Sequence, residues 1–150
     1  MITIEELRLR AGEEIGVSGW RTITQEMINA FADLTGDHQW IHTDVERARR
    51  ESPFGAPVAH GFLTVSLLSA MTREAVEACG EGYRLRVNYG FNRLRFPAPV
   101  PAGSRIRARV AASAVKEVEG GVEIAWQVTV EIEGGSKPGL VAEWLTRMYR

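Results

Sequence analysis

After Gly82 the apolar residues alternate with polar ones, the period of a strand with one face buried. Four runs follow this rule: Tyr83 to Phe96, Ser104 to Val118, Val122 to Ile132 and Leu140 to Tyr149. In the third, Val122, Ile124, Trp126, Val128, Val130 and Ile132 share a face, and in the second Arg105, Arg107 and Arg109 oppose Ile106, Ala108 and Val110. Glu119-Gly120-Gly121 and Gly134-Gly135-Ser136 supply the hairpin connections that neighbouring antiparallel strands require.

Ahead of Gly82 the spacing is mostly helical. Thr3 and Glu6 have capping-box spacing and open a short helix to about Leu9, which Gly12 ends. Glu14 to Thr22 reads as one strand. Thr24 caps a helix whose Met27, Ala30, Phe31 and Leu34 fall on one face until Gly36 stops it. Asp44 caps a short polar helix, Val45 to Arg50, and Ser52 to His60, with two prolines and a glycine, is a loop. From Gly61 to about Ala78 the apolar residues point in nearly every direction, which predicts a helix buried on most sides.

One buried helix, a strand before it and four long strands after it predict an α+β fold, an antiparallel sheet wrapped around that helix. A sheet this long has exposed edges, and pairing one with the same edge of a second copy predicts a homodimer. The 150 residues, 45% of them apolar, suit a single domain spanning 1–150, with no repeat and no linker to divide it. Eighteen basic and 19 acidic residues leave a net charge of −1, too weak a field to gather nucleic acid or an anionic membrane surface. No apolar stretch approaches membrane-spanning length and no leader pattern opens the chain, so a cytoplasmic protein is expected. Cys79 is the lone cysteine, which leaves no disulfide within the chain, and it reads as a half-buried core residue.

Candidate chemistry concentrates between Phe31 and Ser69. Asp37 and His42 stand five positions apart, just after the helix-ending Gly36, so both side chains can converge on one water as acid/base partners. Taken singly, the aspartate reads as a turn cap and the histidine as half-buried filler. Together they stand beside a second feature of the same kind, Ala59-His60-Gly61. The first N–H groups of the helix opening at Gly61 have no intrahelical partner and face the positive end of its dipole, so they can receive a developing oxyanion. Simple helix entry between packed layers explains Gly61 equally well on spacing alone. His60 reads as a packed or hydrogen-bonded neighbour. A metal site built from His38 and His42 with Asp37 is the competing reading. Its i, i+4 spacing would need a helix, and a zincin would need Glu where Gln39 stands, so no metal is expected.

The run Phe31-Ala-Asp-Leu-Thr-Gly-Asp37-His-Gln-Trp-Ile-His42, then Ala59-His60-Gly61-Phe62-Leu63 and later Ser69, resembles the MaoC-like hydratases, the (R)-specific enoyl-CoA hydratases of hotdog fold. The likeness runs from about Glu14 to the C-terminus. It implies a hotdog, a long central helix wrapped by a bent antiparallel sheet. It also implies roles: Asp37 and His42 hold and activate water, the Gly61 N–H receives the thioester oxygen, and Ser69 helps to position the aspartate. Where the family motif has Asn-Pro, this chain has Gln39-Trp40, which removes a rigid proline and adds a large ring. Trp40, Phe54 and Phe62 are candidate walls of an acyl pocket, and Arg93 and Arg95 are candidate partners for the phosphates of coenzyme A.

The implied reaction is reversible syn addition of water to a trans-2-enoyl-CoA, giving the (R)-3-hydroxyacyl product. It needs no cofactor, since coenzyme A enters as part of the substrate, and acyl carrier protein is an alternative carrier. Hotdog proteins share fold and acyl-thioester substrates, so a thioesterase is the nearest rival. A non-catalytic acyl-binding subunit and a chain that works only with a different hotdog partner are the others.

Overall fold

In the computed structural model, which describes residues 2–76 and 82–150, eleven elements follow one another. They are α1 (Ile4–Leu9), β1 (Glu14–Val17), β2 (Arg21–Thr22), α2 (Gln25–Thr35), α3 (Trp40–Thr43), α4 (Val45–Glu51), α5 (Gly61–Ala75), β3 (Leu85–Arg95), β4 (Arg105–Val118), β5 (Gly121–Ile132) and β6 (Leu140–Tyr149). The strands form one antiparallel sheet in the order β1-β4-β5-β6-β3, with β2 also paired to β4. This is the expected α+β arrangement.

Alternation does what the sequence pattern predicts. Ile106, Ala108, Val110 and Ala112 of β4, Ile124, Trp126, Val128 and Val130 of β5, and Leu140, Ala142, Trp144 and Met148 of β6 all turn to the buried face. The Trp126 indole N–H donates to the Thr146 hydroxyl at 2.8 Å, so the largest core ring keeps no unpaired donor. On the opposite face Arg107 pairs with Glu131, Arg109 with Glu14 and Glu131, and Arg147 with Glu123. The turn between β4 and β5 needs glycine at two successive positions. Gly120 has φ +74°, and a Cβ on Gly121 would lie 1.9 Å from the Met148 carbonyl oxygen.

Caps fall where expected. The Thr3 and Glu6 capping box is formed at α1, Thr24 accepts from the Met27 N–H at α2, Gly36 ends α2 at φ +81°, and Asp44 caps α4.

Three expectations need correction. The single strand from Glu14 to Thr22 is two, because the Ser18 hydroxyl accepts the Ala108 N–H at 2.9 Å, in place of a main-chain acceptor, and the Gly19 N–H is drawn off to the Glu74 carboxylate. The buried stripe of α2 is Ile28 and Ala32 with Met27 and Phe31 half-buried, while Ala30 is exposed and Leu34 is 83% exposed, since the last turn runs past the edge of the core. Helix α5 is buried on one side rather than most. Leu63, Thr64, Leu68, Met71 and Thr72 face the sheet, and Phe62, Ser66 and Ala70 face outward, because the sheet of one chain covers a single flank. Val76 ends the helix as its extended C-cap, and positions 77 and 78, expected to continue it, lie with Cys79 outside the described residues. No helix among the described residues is long and apolar enough to cross a membrane.

Candidate active site

The site lies where α2, α3 and the start of α5 meet. Gly36 closes α2 in the left-handed conformation and turns the chain back, which places Asp37 at the surface beside α3. A one-turn helix, α3, then carries His42 inward. The segment before α5 holds it there: the Val58 N–H donates to the Ile41 carbonyl at 3.0 Å, and His42 Nδ1 lies 2.6 Å from the Val58 carbonyl oxygen. From the other side Gln25, at the start of α2, donates to the His42 carbonyl at 2.7 Å. Ala59 in turn donates to the Val100 carbonyl, and Val58 bridges Pro101, so the clamp is fastened to the chain ahead of β4.

These contacts assign the tautomer. A carbonyl can only accept, so His42 Nδ1 carries the hydrogen and Nε2 is left with a bare lone pair. His42 is 7% exposed, and burial, the largest influence, pushes its pKa below the ordinary imidazole value. The nearby His60 adds to this lowering, and the hydrogen bond to Val58 and the Asp37 carboxylate oppose it. His42 is therefore a neutral base at neutral pH.

His60 caps α5 from behind. Its ring stacks on His42 with centroids 3.8 Å apart, and its Nε2 lies 2.9 Å from the main-chain carbonyl of Asp37. One carboxylate oxygen of Asp37, one ring nitrogen of His42 and one of His60 lie within 4.8 Å of one another. Groups this close can meet a single shared ligand. The spacing of His38 with His42 does not bring those two together, because His38 turns outward to Asp33 at 2.8 Å, and that bond raises its pKa.

A pocket of about 380 Å³ opens beside His42, with Ile41, Phe54, Val58, Thr64 and Phe96 among its walls and Gly61 at the start of α5. A Cβ on Gly61 would meet the Phe96 ring at 2.9 Å, so the ring lies directly over the glycine main chain. The lining is mostly apolar, as an acyl chain requires, with an imidazole and a helix N-terminus at one place.

Asp37, His42, His60 and Gly61 are thus brought together, and Phe54 lines the pocket. Trp40, Phe62 and Arg93, expected to touch substrate, are placed elsewhere in the chain. The Trp40 ring lies under the Arg47 guanidinium at 4.3 Å, Phe62 is 70% exposed on the outer flank of α5, and Arg93 sits on edge strand β3 beside Gln127 and Glu143. Arg95 is exposed on the same strand. Ser69 is half-buried along α5, and among the described residues no hydrogen bond joins it to Asp37, whose carboxylate accepts the Gln39 N–H. Thr64 and Phe96 are pocket residues the sequence reading passed over. The Phe96-Pro97-Ala98-Pro99 run was their available signal, since prolines after a strand mark a loop free to fold back over a helix end.

An antiparallel sheet around one helix, with a neutral imidazole on an apolar pocket and a carboxylate close to that imidazole, defines a hotdog domain equipped for acid/base work. The chain matches the MaoC like domain model over residues 7–133 and belongs to that family. It is 48% identical over 146 residues to the 3-hydroxyacyl-thioester dehydratase Z of Mycobacterium tuberculosis, an alignment covering 97% of this chain and 95% of the relative. Among solved structures, a monoamine oxidase regulatory protein from Archaeoglobus fulgius superposes with a TM-score of 0.81 at 28% identity over 99% of this chain and 94% of that one. The (R)-hydratase of A. caviae involved in PHA biosynthesis superposes with a TM-score of 0.67 at 24% identity over 90% and 96%, a likeness of fold. The chain is an enzyme of the dehydratase type, and its fold is the hotdog that the sequence motif implied.

Proposed function

We propose that this enzyme is an (R)-specific enoyl-CoA hydratase, working reversibly between a trans-2-enoyl thioester and its (R)-3-hydroxyacyl product. The observation that carries the reading is the meeting of an Asp37 carboxylate oxygen with a His42 ring nitrogen, within 4.8 Å, where His42 keeps a bare Nε2 and lines the pocket that opens on Gly61. With the acyl chain in the pocket, Asp37 orients the water and His42 Nε2 takes one of its protons as the oxygen bonds to the β-carbon. The electrons of the double bond move to the thioester oxygen, and the Gly61 N–H at the start of α5 stabilises that enolate, an interaction worth about 3 to 4 kcal/mol in oxyanion holes. The proton then reaches the α-carbon by way of Asp37, so both residues end as they began. Both parts of the water come from one side, which gives syn addition and a single hand of alcohol.

The reaction needs no resident cofactor or metal, because the redox state of carbon is unchanged overall and both protons come from water. The carrier is coenzyme A or acyl carrier protein, and both carry acyl groups as thioesters in solution, consistent with a cytoplasmic enzyme. The exposed edge strand β3, which presents Tyr89 and Phe91, supports pairing with the same strand of a second copy.

Incubation with crotonyl-CoA and longer enoyl-CoAs tests the assignment. Loss of the conjugated thioester absorbance with formation of the (R)-alcohol is expected. Release of free coenzyme A thiol identifies a thioesterase instead, and binding without turnover identifies a carrier subunit.

A further inference from the structure

A buried polar group beside Asp37 and His42 takes no part in their chemistry. His60 is 2% exposed, and among the described residues its Nδ1 has no hydrogen-bond partner. Its other nitrogen faces a carbonyl, that of Asp37, and must therefore carry the ring hydrogen, which leaves Nδ1 as a bare acceptor. A buried acceptor without a donor is costly, so a histidine held in this state calls for a reason beyond filling space. The surroundings supply one. His60 touches both halves of the water site at once: the main chain of Asp37 through Nε2, and the ring of His42 through its face at 3.8 Å. Phe31 of α2 closes the far side at 5.0 Å and offers no charge.

Building on the hydratase reading above, we propose that His60 is a positioning residue for water addition, tethering the Asp37 main chain and bracing the His42 ring so that carboxylate and base address one water. The stack also bears on the base, because His60 is one of the groups that lower the pKa of His42. The titratable groups facing the pair are Asp37, after α2, and the two rings themselves, on α3 and α5.

Two variants separate the tether from the brace. His60→Phe keeps a ring against His42 and loses the donor to Asp37. His60→Gln keeps an N–H donor and loses the stack. We expect His60→Phe to lower kcat by about a hundredfold with KM little changed, the size of effect that a small misplacement of reacting groups produces. His60→Gln should retain more turnover, while the acid limb of its pH profile moves to higher pH, because removing the neighbouring ring lets His42 protonate more easily. Wild-type kcat and an unshifted pH profile in both folded variants would overturn the proposal.

A measurement on the unmodified protein stands apart from catalysis. Nitrogen-15 chemical shifts should show His60 as the Nε2–H tautomer and His42 as the Nδ1–H tautomer. An Nδ1–H tautomer for His60 overturns the proposal even if the variants fail to fold. If the wild-type enzyme hydrates no enoyl thioester, the functional assignment falls, and the nitrogen shifts still decide the role of His60.

Discussion

At the scale of single residues, three features of its surroundings set His42. The Val58 carbonyl fixes its tautomer, burial is the largest influence on its pKa and lowers it, and a carboxylate oxygen of Asp37 lies within 4.8 Å of one of its ring nitrogens. Because its pKa is depressed, the unprotonated form survives to lower pH than a free imidazole would allow. The acid limb of kcat/KM is therefore expected below about 6.5, the ordinary histidine value, and a limb above that value would show that another group controls the rate. His42→Gln and Asp37→Asn should each reduce turnover by about a hundredfold or more with little change in melting temperature, since acid/base groups contribute factors of 10² to 10⁴. Activity surviving both would exclude the proposed water site. The two residues were legible in the sequence because they follow a helix stop at short range. The clamp that sets the tautomer was not, because Val58 lies sixteen positions from His42 and nothing in local spacing announces that contact.

Elements position these residues, and glycines at their joints show how little room is left. At Gly61 the Phe96 ring occupies the place a side chain would take, so Gly61→Ala displaces the ring and disturbs the amide proposed to receive the thioester oxygen. The Phe96 ring is a half-exposed side chain and can move, so stability should change little, while kcat should fall by about 10² to 10³, the range for loss of an oxyanion donor. Gly16 differs in kind. A Cβ there would lie 2.0 Å from the main-chain carbonyl of Ala75 at the end of α5, and main chain on both sides cannot yield. Gly16→Ala should destabilise the fold by about 2 kcal/mol, as overpacking does, read as a lower urea midpoint. Sequence spacing located α5 and its start correctly but overstated its burial. Apolar residues around the whole helix report every contact the helix will ever make, including any with other chains, and the sheet of one chain covers a single side.

For the molecule as a whole, the sheet was the most legible part, because a strict period of two leaves each strand only one way to face the core. The β4, β5 and β6 boundaries agree with the alternating runs to within a residue. Departures fall where a side chain intrudes on the ladder, as Ser18 does at the break between β1 and β2. The outer edge β3 carries two register shifts and exposed Tyr89 and Phe91, and its pairing partner is the open question at this scale. Light scattering should give a particle of twice the 16.6 kDa chain mass, and a monomer at micromolar concentration would remove the edge-pairing proposal.

Asp37 stands in solvent while His42 is buried and lines the apolar pocket. In the proposed reaction the acyl group fills that pocket and water reaches the carboxylate from solvent, without the thioester having to leave. Hydration and its reversal can then run many times during one visit of the substrate. In heavy water the α-carbon of a bound hydroxyacyl thioester would accumulate deuterium through repeated dehydration and rehydration before release.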